Sequence, residues 1–265
     1  MRIVFIGAVQ FSEKALAKLI DMKASVTGVC TLEQSPFNSD HVDLTPMCNE
    51  HNIPVKYAID INSPNSIEWI KLCSPDVIFC FGWSRLIKSE LLNLAFMGVV
   101  GYHPARLPAN RGRHPLIWSL VLGLDETAST FFIMDEGADS GDIISQRPIP
   151  IFENDNASSL YQRMIEAALD QMDEIVPALA SNNCIRIPQD NIKANYWRKR
   201  GKKDGQIDWR MTASSIYNLV RGLTKPYLGA HFELEGQIIK VWEAVVIENN
   251  NKNIEPGKVL AVDES

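Results

Sequence analysis

The sequence predicts an α/β fold: an open, mainly parallel, Rossmann-like sheet followed by a small, largely β domain. In the first half of the chain, short β-branched and aromatic runs alternate with segments whose apolar residues recur every three or four positions. This alternation is typical of parallel strands joined by helices. After Gly205, short strands and turns replace it. We therefore divide the 265 residues into a large domain at 1–181, a linker at 182–204 and a C-terminal domain at 205–265.

Each strand of the large domain is predicted from a short apolar run that ends at a turn residue or a polar loop. These runs lie at residues 2–6, 26–31, 55–58, 76–81, 99–103, 130–134 and 143–151. In the C-terminal domain we expect short strands between residues 225 and 247, with turns at Gly229 and residues 235–236. A last strand starts in GKVLAVDES at 257–265, so this domain looks truncated.

Helices are predicted where apolar residues share one face at helical spacing. They lie at residues 11–22, 43–51, 64–73, 88–96, 158–180 and 213–221. Ser12 is the predicted N-cap of the first helix, since its hydroxyl can accept a hydrogen bond from a free backbone N–H. Pro64, preceded by Ser63, favours a helix start, because proline lacks the N–H that the first turn leaves unbonded.

The composition excludes several classes of protein. The chain has 26 Lys and Arg residues against 32 Asp and Glu, a net charge of −6, which argues against a nucleic-acid-binding surface. The basic run at 196–203 is interpreted as a solvated loop, because Asp204 and Asp208 dilute its charge. No apolar run is long enough for a bilayer, so no membrane partner is expected. Five cysteines without a C-x-x-C pair indicate reduced thiols and a cytoplasmic protein, and no histidine spacing predicts a metal site.

Three segments that follow predicted strands are candidates for a functional site. They are FGWSRLI at 81–87, HPARLPANRG at 103–112 and MDEGADSGD at 134–142. In open parallel sheets, ligands bind beyond the carboxyl ends of the strands. We therefore expect the three segments to meet at one edge of the sheet and to form a site there.

In this order and spacing, these segments resemble the folate-dependent formyltransferases, which include sugar N-formyltransferases, methionyl-tRNA formyltransferase and glycinamide ribonucleotide transformylase. The matching pieces are FGWSRLI, the H-P-x-x-L-P-x-x-R-G-x-x-P run at 103–115 and M-D-E-G-x-D-S-G-D-I at 134–143. The resemblance covers about residues 1–180, and residues 204–232 are similar to the region that joins the two domains in the sugar and tRNA enzymes. It implies the formyltransferase fold and transfer of a formyl group from N10-formyltetrahydrofolate to an amine, without a metal.

The resemblance also implies the catalytic residues. Acyl transfer to an amine needs a base near the amine and a donor near the developing oxyanion. His103 matches the family histidine and is the expected general base; a histidine side chain ordinarily titrates near pH 6.5. Asp139 matches the family aspartate that lies against that histidine and helps to position the amine.

One position departs from the family pattern. The family has Asn-x-His, and its Asn amide donates to the oxyanion, whereas this chain has Gly101. Residues 101 and 103 share one face of a strand, so Tyr102 points the other way and is a poor replacement. Three alternatives remain: a protonated His103 donates; Asn110, a backbone N–H or a water in the space left by the side chain donates; or the enzyme is slow or inactive. We expect activity to be retained and Gly101→Asn to be tolerated.

The resemblance assigns further residues to the two ligands. For the folate it implies Arg85, Leu86, Ile87, Leu107, Pro108 and Asp142. For the acceptor it implies Trp83, Arg106, Arg111 and Arg113. Pro104 and Pro108 restrict the backbone after His103, which favours a loop that holds the base rigidly.

The sugar N-formyltransferases fit the chain best, which implies a nucleotide-linked amino deoxysugar of surface glycan biosynthesis as the acceptor. A transfer RNA would demand a basic C-terminal domain, and this chain is acidic. Two alternatives remain: an amino acid on a peptide-synthetase carrier, or a catalytically impaired homologue that binds folate or sugar. A dinucleotide-binding module is not supported, because the first strand–helix unit has only Gly7 and lacks G-x-G-x-x-G. A homodimer is possible.

Overall fold

A seven-stranded sheet forms the centre of the large domain. The computed structural model describes residues 1–36, 38–248 and 252–262. Its strands are β1 Arg2–Ile6, β2 Ser25–Thr31, β3 Val55–Tyr57, β4 Val77–Cys80, β5 Val99–His103, β6 Arg111–Gly112, β7 Glu126–Ile133, β8 Ile143–Pro150, β9 Tyr196–Trp197, β10 Ala230–Leu234 and β11 Gln237–Val241. Its helices are α1 Gln10–Asp21, α2 Thr45–Glu50, α3 Pro64–Leu72, α4 Ser89–Leu92, α5 Pro115–Val121, α6 Ala157–Ala180 and α7 Ala213–Leu223, with 3₁₀ turns at Asn191–Lys193 and Lys202–Gly205.

The strand order is β3-β2-β1-β4-β5-β7-β8. The first five strands in this order pair in parallel, whereas β7 is antiparallel to β5 and β8 is antiparallel to β7. The prediction of an open, mainly parallel sheet is confirmed. The carboxyl ends of β1, β4 and β5 meet at one edge, which is the edge where ligands bind in such folds.

The central strands are buried on both faces because helices cover the sheet from both sides. On one face, Phe5, Phe79, Phe81 and Phe131 pack with α1 and α6. On the other face, the strands pack with α3 and α4. Burial of each such side chain contributes about 1.5–3 kcal/mol, so the β4–β5 edge rests on a rigid core.

The start of α1 differs from the prediction. The helix begins at Gln10 with Val9 at the N-cap, and Ser12 lies in the first turn. The Ser12 hydroxyl accepts a hydrogen bond from Val9 N at 3.1 Å and donates to Phe81 O at 2.7 Å. The predicted N-cap is therefore wrong because Ser12 is buried between the ends of β1 and β4, where it joins the two loops. Ser63 does cap α3, as predicted, by accepting from Ser66 N.

Two other elements are shorter than predicted. The helix expected at 88–96 is the single turn of α4 at Ser89–Leu92. Residues 257–262 of the predicted last strand form no strand, and residues 263–265 lie outside the described residues.

The C-terminal part contains α7 and one β-hairpin. Strands β10 and β11 pair antiparallel, with Ala230 opposite Val241. Glu235 and Gly236 connect them, both with positive φ (50° and 77°). That geometry is typical of a two-residue hairpin turn, so the predicted turn is confirmed. Helix α7 packs on α5, which attaches this part to the large domain.

Neither a membrane-spanning helix nor a metal cluster occurs among the described residues. None of their helices has both the length and the apolar character that crossing a bilayer requires. They contain no group of three or more His, Cys, Asp or Glu side chains arranged to hold a metal ion.

Candidate active site

The three candidate segments meet, although not all by the expected route. Phe81 and His103 stand at the carboxyl ends of the parallel strands β4 and β5. The third segment follows β7, which is antiparallel, so it starts at the opposite edge, where Met134 N donates to Val99 O at 2.7 Å. The prediction that residues 134–142 leave their strand at the same edge as the other two segments is therefore wrong. This loop instead folds back along the sheet, and so brings Asp139 to His103.

His103 is held in one orientation by a backbone carbonyl. The residue is only 4% exposed, and its Nε2 lies 2.8 Å from Asn110 O. A carbonyl oxygen can only accept a hydrogen bond, so Nε2 must carry the hydrogen. In the neutral ring Nδ1 then has the lone pair, and it faces Asp139 Oδ2 at 3.6 Å. The imidazole thus presents a proton acceptor towards the carboxylate.

A hydrogen bond to its carboxylate and an unusual backbone conformation set the position of Asp139. Its Oδ2 accepts a hydrogen bond from Gly112 N at 2.9 Å. Its backbone has φ of 54°, a left-handed conformation that Asp adopts more easily than most residues. A positive group placed between Asp139 Oδ2 and His103 Nδ1 would contact both. The pair is therefore suited to bind an amine and to accept the proton that it loses on acylation.

The position of the missing family Asn is filled. Gly101 lies opposite Phe132 in the sheet, and a Cβ at Gly101 would stand 2.8 Å from Met134 Cγ and 2.9 Å from Phe132 Cε1. Phe132 is 2% exposed, so its ring has little freedom to move. A longer side chain at residue 101 would therefore require Met134 or Phe132 to move, which argues against the expectation that Gly101→Asn is tolerated.

A cavity of about 270 Å³ opens beside Asp139 and Gly101. Its wall includes residues from the loop after β4, the start of α5, α6 and the C-terminal part, namely Trp83, Ser84, His114, Leu116, Tyr161 and Tyr227. Trp83 Nε1 and His114 Nε2 are buried atoms with no hydrogen-bond partner among the residues that the structure describes. Burial lowers the pKa of His114 from its usual value, and the nearby Arg113, Arg200 and Lys199 lower it further. Two buried polar groups beside the cavity thus lack a partner among the described residues.

Comparison with known proteins identifies the family. Residues 1–176 match the formyl transferase family model, and residues 199–265 match that of the formyl transferase C-terminal domain. The chain belongs to the formyltransferase family. The methionyl-tRNA formyltransferase of Geobacter sulfurreducens is 32% identical over 266 residues, which cover 99% of this chain and 83% of that protein. Enzymes of this family use formyl-tetrahydrofolate as the formyl donor.

Solved structures of formyltransferases share the fold. A 4-N formyltransferase from Francisella tularensis has a TM-score of 0.75 at 22% identity, over 94% of this chain and 98% of that chain. A sugar N-formyltransferase from Shewanella sp FDAARGOS_354 has a TM-score of 0.74 at 17% identity, over 94% and 99%. A methionyl-tRNA formyltransferase from Clostridium thermocellum has a TM-score of 0.70 at 18% identity, over 95% of each chain. At these identities the likeness concerns the fold alone.

The residues expected to contact the folate of this formyltransferase lie near the site, outside the wall of the 270 Å³ cavity. Ile87 and Leu107 are each 2% exposed and pack in apolar clusters, so only their backbone groups are available to a ligand. Leu86 and Arg85 are exposed, and Pro108 and Asp142 are partly exposed at the loop ends. Their roles in folate binding stay predictions.

The four residues expected to contact the acceptor differ in their location and contacts. Trp83 lines the cavity. Arg113 lies at its rim, where its guanidinium donates to Ser84 O at 2.8 Å. Arg106 is exposed and pairs with Glu126 instead. Arg111 is 1% exposed, and its guanidinium donates to other residues of the protein, namely Gln189, Asn191 and Tyr196. The prediction that Arg111 contacts the substrate is therefore wrong.

The predicted linker is part of the packed enzyme. Tyr196–Trp197 of β9 pair in parallel with Arg111–Gly112 of β6. The basic run at 196–203 is mostly exposed, as predicted, but Arg200 is buried. The guanidinium groups of Arg198 and Arg200 lie 5.3 and 4.5 Å from the centroid of the Trp118 ring, which attracts cations. The sequence offered no local signal for this packing, because its partners are about 80 residues away.

Proposed function

We propose that this formyltransferase moves the formyl group of N10-formyltetrahydrofolate to a primary amine, with His103 as general base and Asp139 as its partner. The observation that supports this proposal is the geometry of the pair. The lone pair of His103 Nδ1 faces Asp139 Oδ2 at 3.6 Å, while Asn110 O holds the other ring nitrogen. Asp139, but not His103, lines a cavity that can admit a small amine.

The reaction follows from these groups. Asp139 binds the amine of the acceptor beside His103. As the amine nitrogen bonds to the formyl carbon, His103 Nδ1 takes the proton that the nitrogen loses, and Asp139 stabilises the resulting imidazolium. The bond between the formyl carbon and N10 then breaks, the carbonyl re-forms, and the imidazolium returns the proton to N10. Protons and bonds balance, and His103 ends as it began.

The imidazolium also offers a substitute for the missing family amide. Gly101 has no donor, and Phe132 and Met134 fill its surroundings. The Nδ1–H of a protonated His103 arises as negative charge develops on the formyl oxygen, so it can donate to that oxygen. Loss of one oxyanion donor costs about 3–4 kcal/mol in other enzymes, and we propose that this hydrogen bond offsets part of that cost.

For the acceptor we propose a nucleotide-linked amino deoxysugar. A cavity of about 270 Å³ suits one sugar ring, and Trp83 and His114, whose buried Nε1 and Nε2 have no partner among the described residues, would bond its oxygens once their side chains shift towards it. Arg113, whose guanidinium donates to Ser84 O beside the cavity, is the residue we propose to bind a phosphate of this substrate. The net charge of −6 disfavours a large polyanion. Five free thiols, three of them buried, favour the reducing cytoplasm as the location.

A second candidate acceptor is initiator methionyl-tRNA. The observation that favours it is the 32% identity to methionyl-tRNA formyltransferase over nearly the whole chain. Both acceptors present a primary amine, so the His103–Asp139 pair is compatible with either. What differs is the size and charge of the group that carries the amine.

The test is a formyl-transfer assay with N10-formyltetrahydrofolate and three kinds of acceptor: nucleotide-linked amino sugars, initiator methionyl-tRNA and carrier-bound amino acids. Tetrahydrofolate release and product mass are followed, and His103→Gln and Asp139→Asn variants are the controls. We expect turnover with a sugar, which both variants abolish. Turnover with methionyl-tRNA or a carrier alone would replace the sugar as acceptor. Donor binding without turnover of any acceptor would show a catalytically impaired homologue.

A further inference from the structure

The segment between the two domains contacts the loops that carry both catalytic residues. Its residues 187–197, here called the connecting segment, run beside the catalytic loops. Ile187 and Ile143 exchange two backbone hydrogen bonds, each 2.8 Å long. Further along, Arg113 N donates to Trp197 O at 3.0 Å. Between these two attachments lie Gln189 and Asn195.

Gln189 holds the backbone that aims Asp139. Its Nε2 donates to Asp139 O at 2.8 Å and to Gly141 O at 2.7 Å. Its Oε1 accepts from Arg111 Nε at 3.1 Å and from Arg111 Nη2 at 2.7 Å. Both amide hydrogens and both oxygen lone pairs are thus used. Because Asp139 has a left-handed backbone, these two bonds favour a conformation that the chain alone would rarely adopt.

Asn195 holds the peptide that orients His103. Its Oδ1 accepts from Asn110 N at 2.8 Å, and its Nδ2 donates to Asn110 Oδ1 at 3.2 Å. Its backbone oxygen accepts from Arg111 N at 3.0 Å. The carbonyl of Asn110 is the group that accepts from His103 Nε2 at 2.8 Å. If Asn110 turns, His103 loses the bond that puts its lone pair on Nδ1.

We infer that Gln189 and Asn195 are positioning residues for formyl transfer: Gln189 acts through Asp139, and Asn195 acts through Asn110 and His103. This inference rests on the proposed function for the reaction it serves. Arg111 links Gln189 to Asn195, since its side chain donates to Gln189 Oε1 and its backbone N–H donates to Asn195 O. The connecting segment therefore sets the distance between the base and the carboxylate without touching the reacting atoms.

The first measurement is kinetic and uses Gln189→Leu and Asn195→Ala in the full-length enzyme. A small displacement of catalytic groups lowers the rate steeply, so we expect kcat to fall about 10- to 100-fold and the KM of the folate donor to change less than about threefold. Asn191→Ala is the matched control, because Asn191 Oδ1 accepts from the same guanidinium, Arg111 Nη2, at 2.9 Å but has no side-chain bond to Asn110 or to the backbone of residues 139–141. Asn195→Asp keeps the acceptor for Asn110 N and should retain most of the activity. Values of kcat for Gln189→Leu and Asn195→Ala equal to that of the control would overturn the inference.

The second measurement needs no substrate. NMR spectra of ¹⁵N-histidine-labelled protein report which nitrogen of each imidazole is protonated, and a His103→Gln spectrum assigns the His103 signals. We expect the Nε2–H form of His103 in the wild type and in Gln189→Leu, and a mixture of both forms in Asn195→Ala. An unchanged His103 signal in Asn195→Ala would overturn the role of Asn195. If no acceptor is ever turned over, this readout still decides the positioning role, so the two failures are distinguishable.

Discussion

At the scale of single residues, the site combines the His103–Asp139 pair with a glycine at residue 101. His103 and Asp139 stand together as the resemblance implies, while Gly101 replaces the family Asn. The structure shows that Gly101 is not a simple deletion, because Phe132 and Met134 occupy the neighbourhood that a longer side chain would need. The glycine and its two neighbours therefore act as one packing unit.

A substitution at Gly101 tests this unit. We expect Gly101→Ala to lower the free energy of unfolding by about 1–3 kcal/mol, because overpacking a filled site costs that much, and to lower kcat. Gly101→Asn should be worse. Urea unfolding and formyl-transfer rates measure both effects. Gly236→Ala is the control for general loss of a glycine, since a Cβ there meets nothing within 4 Å, although its positive φ adds some strain.

Relief by a second substitution would show that packing is the cause. Met134→Ala removes the Cγ that would lie 2.8 Å from a Cβ at residue 101, so Gly101→Ala with Met134→Ala should be less destabilised than the two single changes predict together. Strict additivity of the two changes would contradict the packing explanation.

At the scale of elements, the sequence predicted the parallel strands well and the loop routes poorly. Strands β1, β4 and β5 were found from local apolar runs, because burial on both faces leaves a local signal. The reversal of β7 leaves no such signal, since a short apolar run has the same appearance in either direction. The pairing of β6 with β9 joins residues about 85 positions apart. Contacts of that range depend on the whole fold, so the roles of Gln189, Asn195 and Arg111 could not be predicted locally.

The start of α5 gives a prediction about pH. His114 precedes this helix, and its pKa is lowered by burial first and then by Arg113, Arg200 and Lys199. A lowered pKa means that the unfolded chain takes up the proton first as pH falls below about 6.5. The folded state should therefore lose stability from pH 7 to pH 5. His231, whose pKa burial also lowers, acts in the same direction.

Replacement of His114 by Asn should weaken this dependence. Asn tolerates the left-handed backbone at this position (φ 57°) and does not titrate. Urea midpoints at pH 7.5, 6.0 and 5.0 should fall less for His114→Asn than for the wild type. His51→Asn, which alters an exposed histidine after α2, is the control. Parallel pH curves for wild type and His114→Asn would show that His114 does not carry the effect.

At the scale of the whole molecule, one buried arginine ties the C-terminal part to the large domain. Arg221 of α7 donates through Nη1 to Phe152 O, Glu153 O and Asp155 O at 3.0, 3.2 and 3.1 Å. These three carbonyls belong to the turn before α6. The bonds therefore join two elements that lie next to the 270 Å³ cavity, whose wall includes Tyr161 and Tyr227.

Replacement of Arg221 should weaken the attachment of the C-terminal part to the large domain and so lower the stability of the protein. We expect Arg221→Met to lower the free energy of unfolding by about 2–4 kcal/mol, because several buried carbonyls lose their donor. Arg210→Met removes an exposed pair with Asp208 and should leave the unfolding midpoint unchanged. Chemical denaturation measures both. Equal midpoints for the two variants would show that Arg221 is not a structural tie.

The pairing of β6 with β9 has a consequence for building chimeras of related enzymes. A junction placed at the end of α6 would put foreign residues opposite Arg111–Gly112. It would therefore replace the connecting segment at 187–197 together with the C-terminal part. A junction placed after Trp197 would transfer the C-terminal part and leave the native neighbours of the base in place. We therefore expect chimeras to stay active only when residues 1–197 all come from the same enzyme.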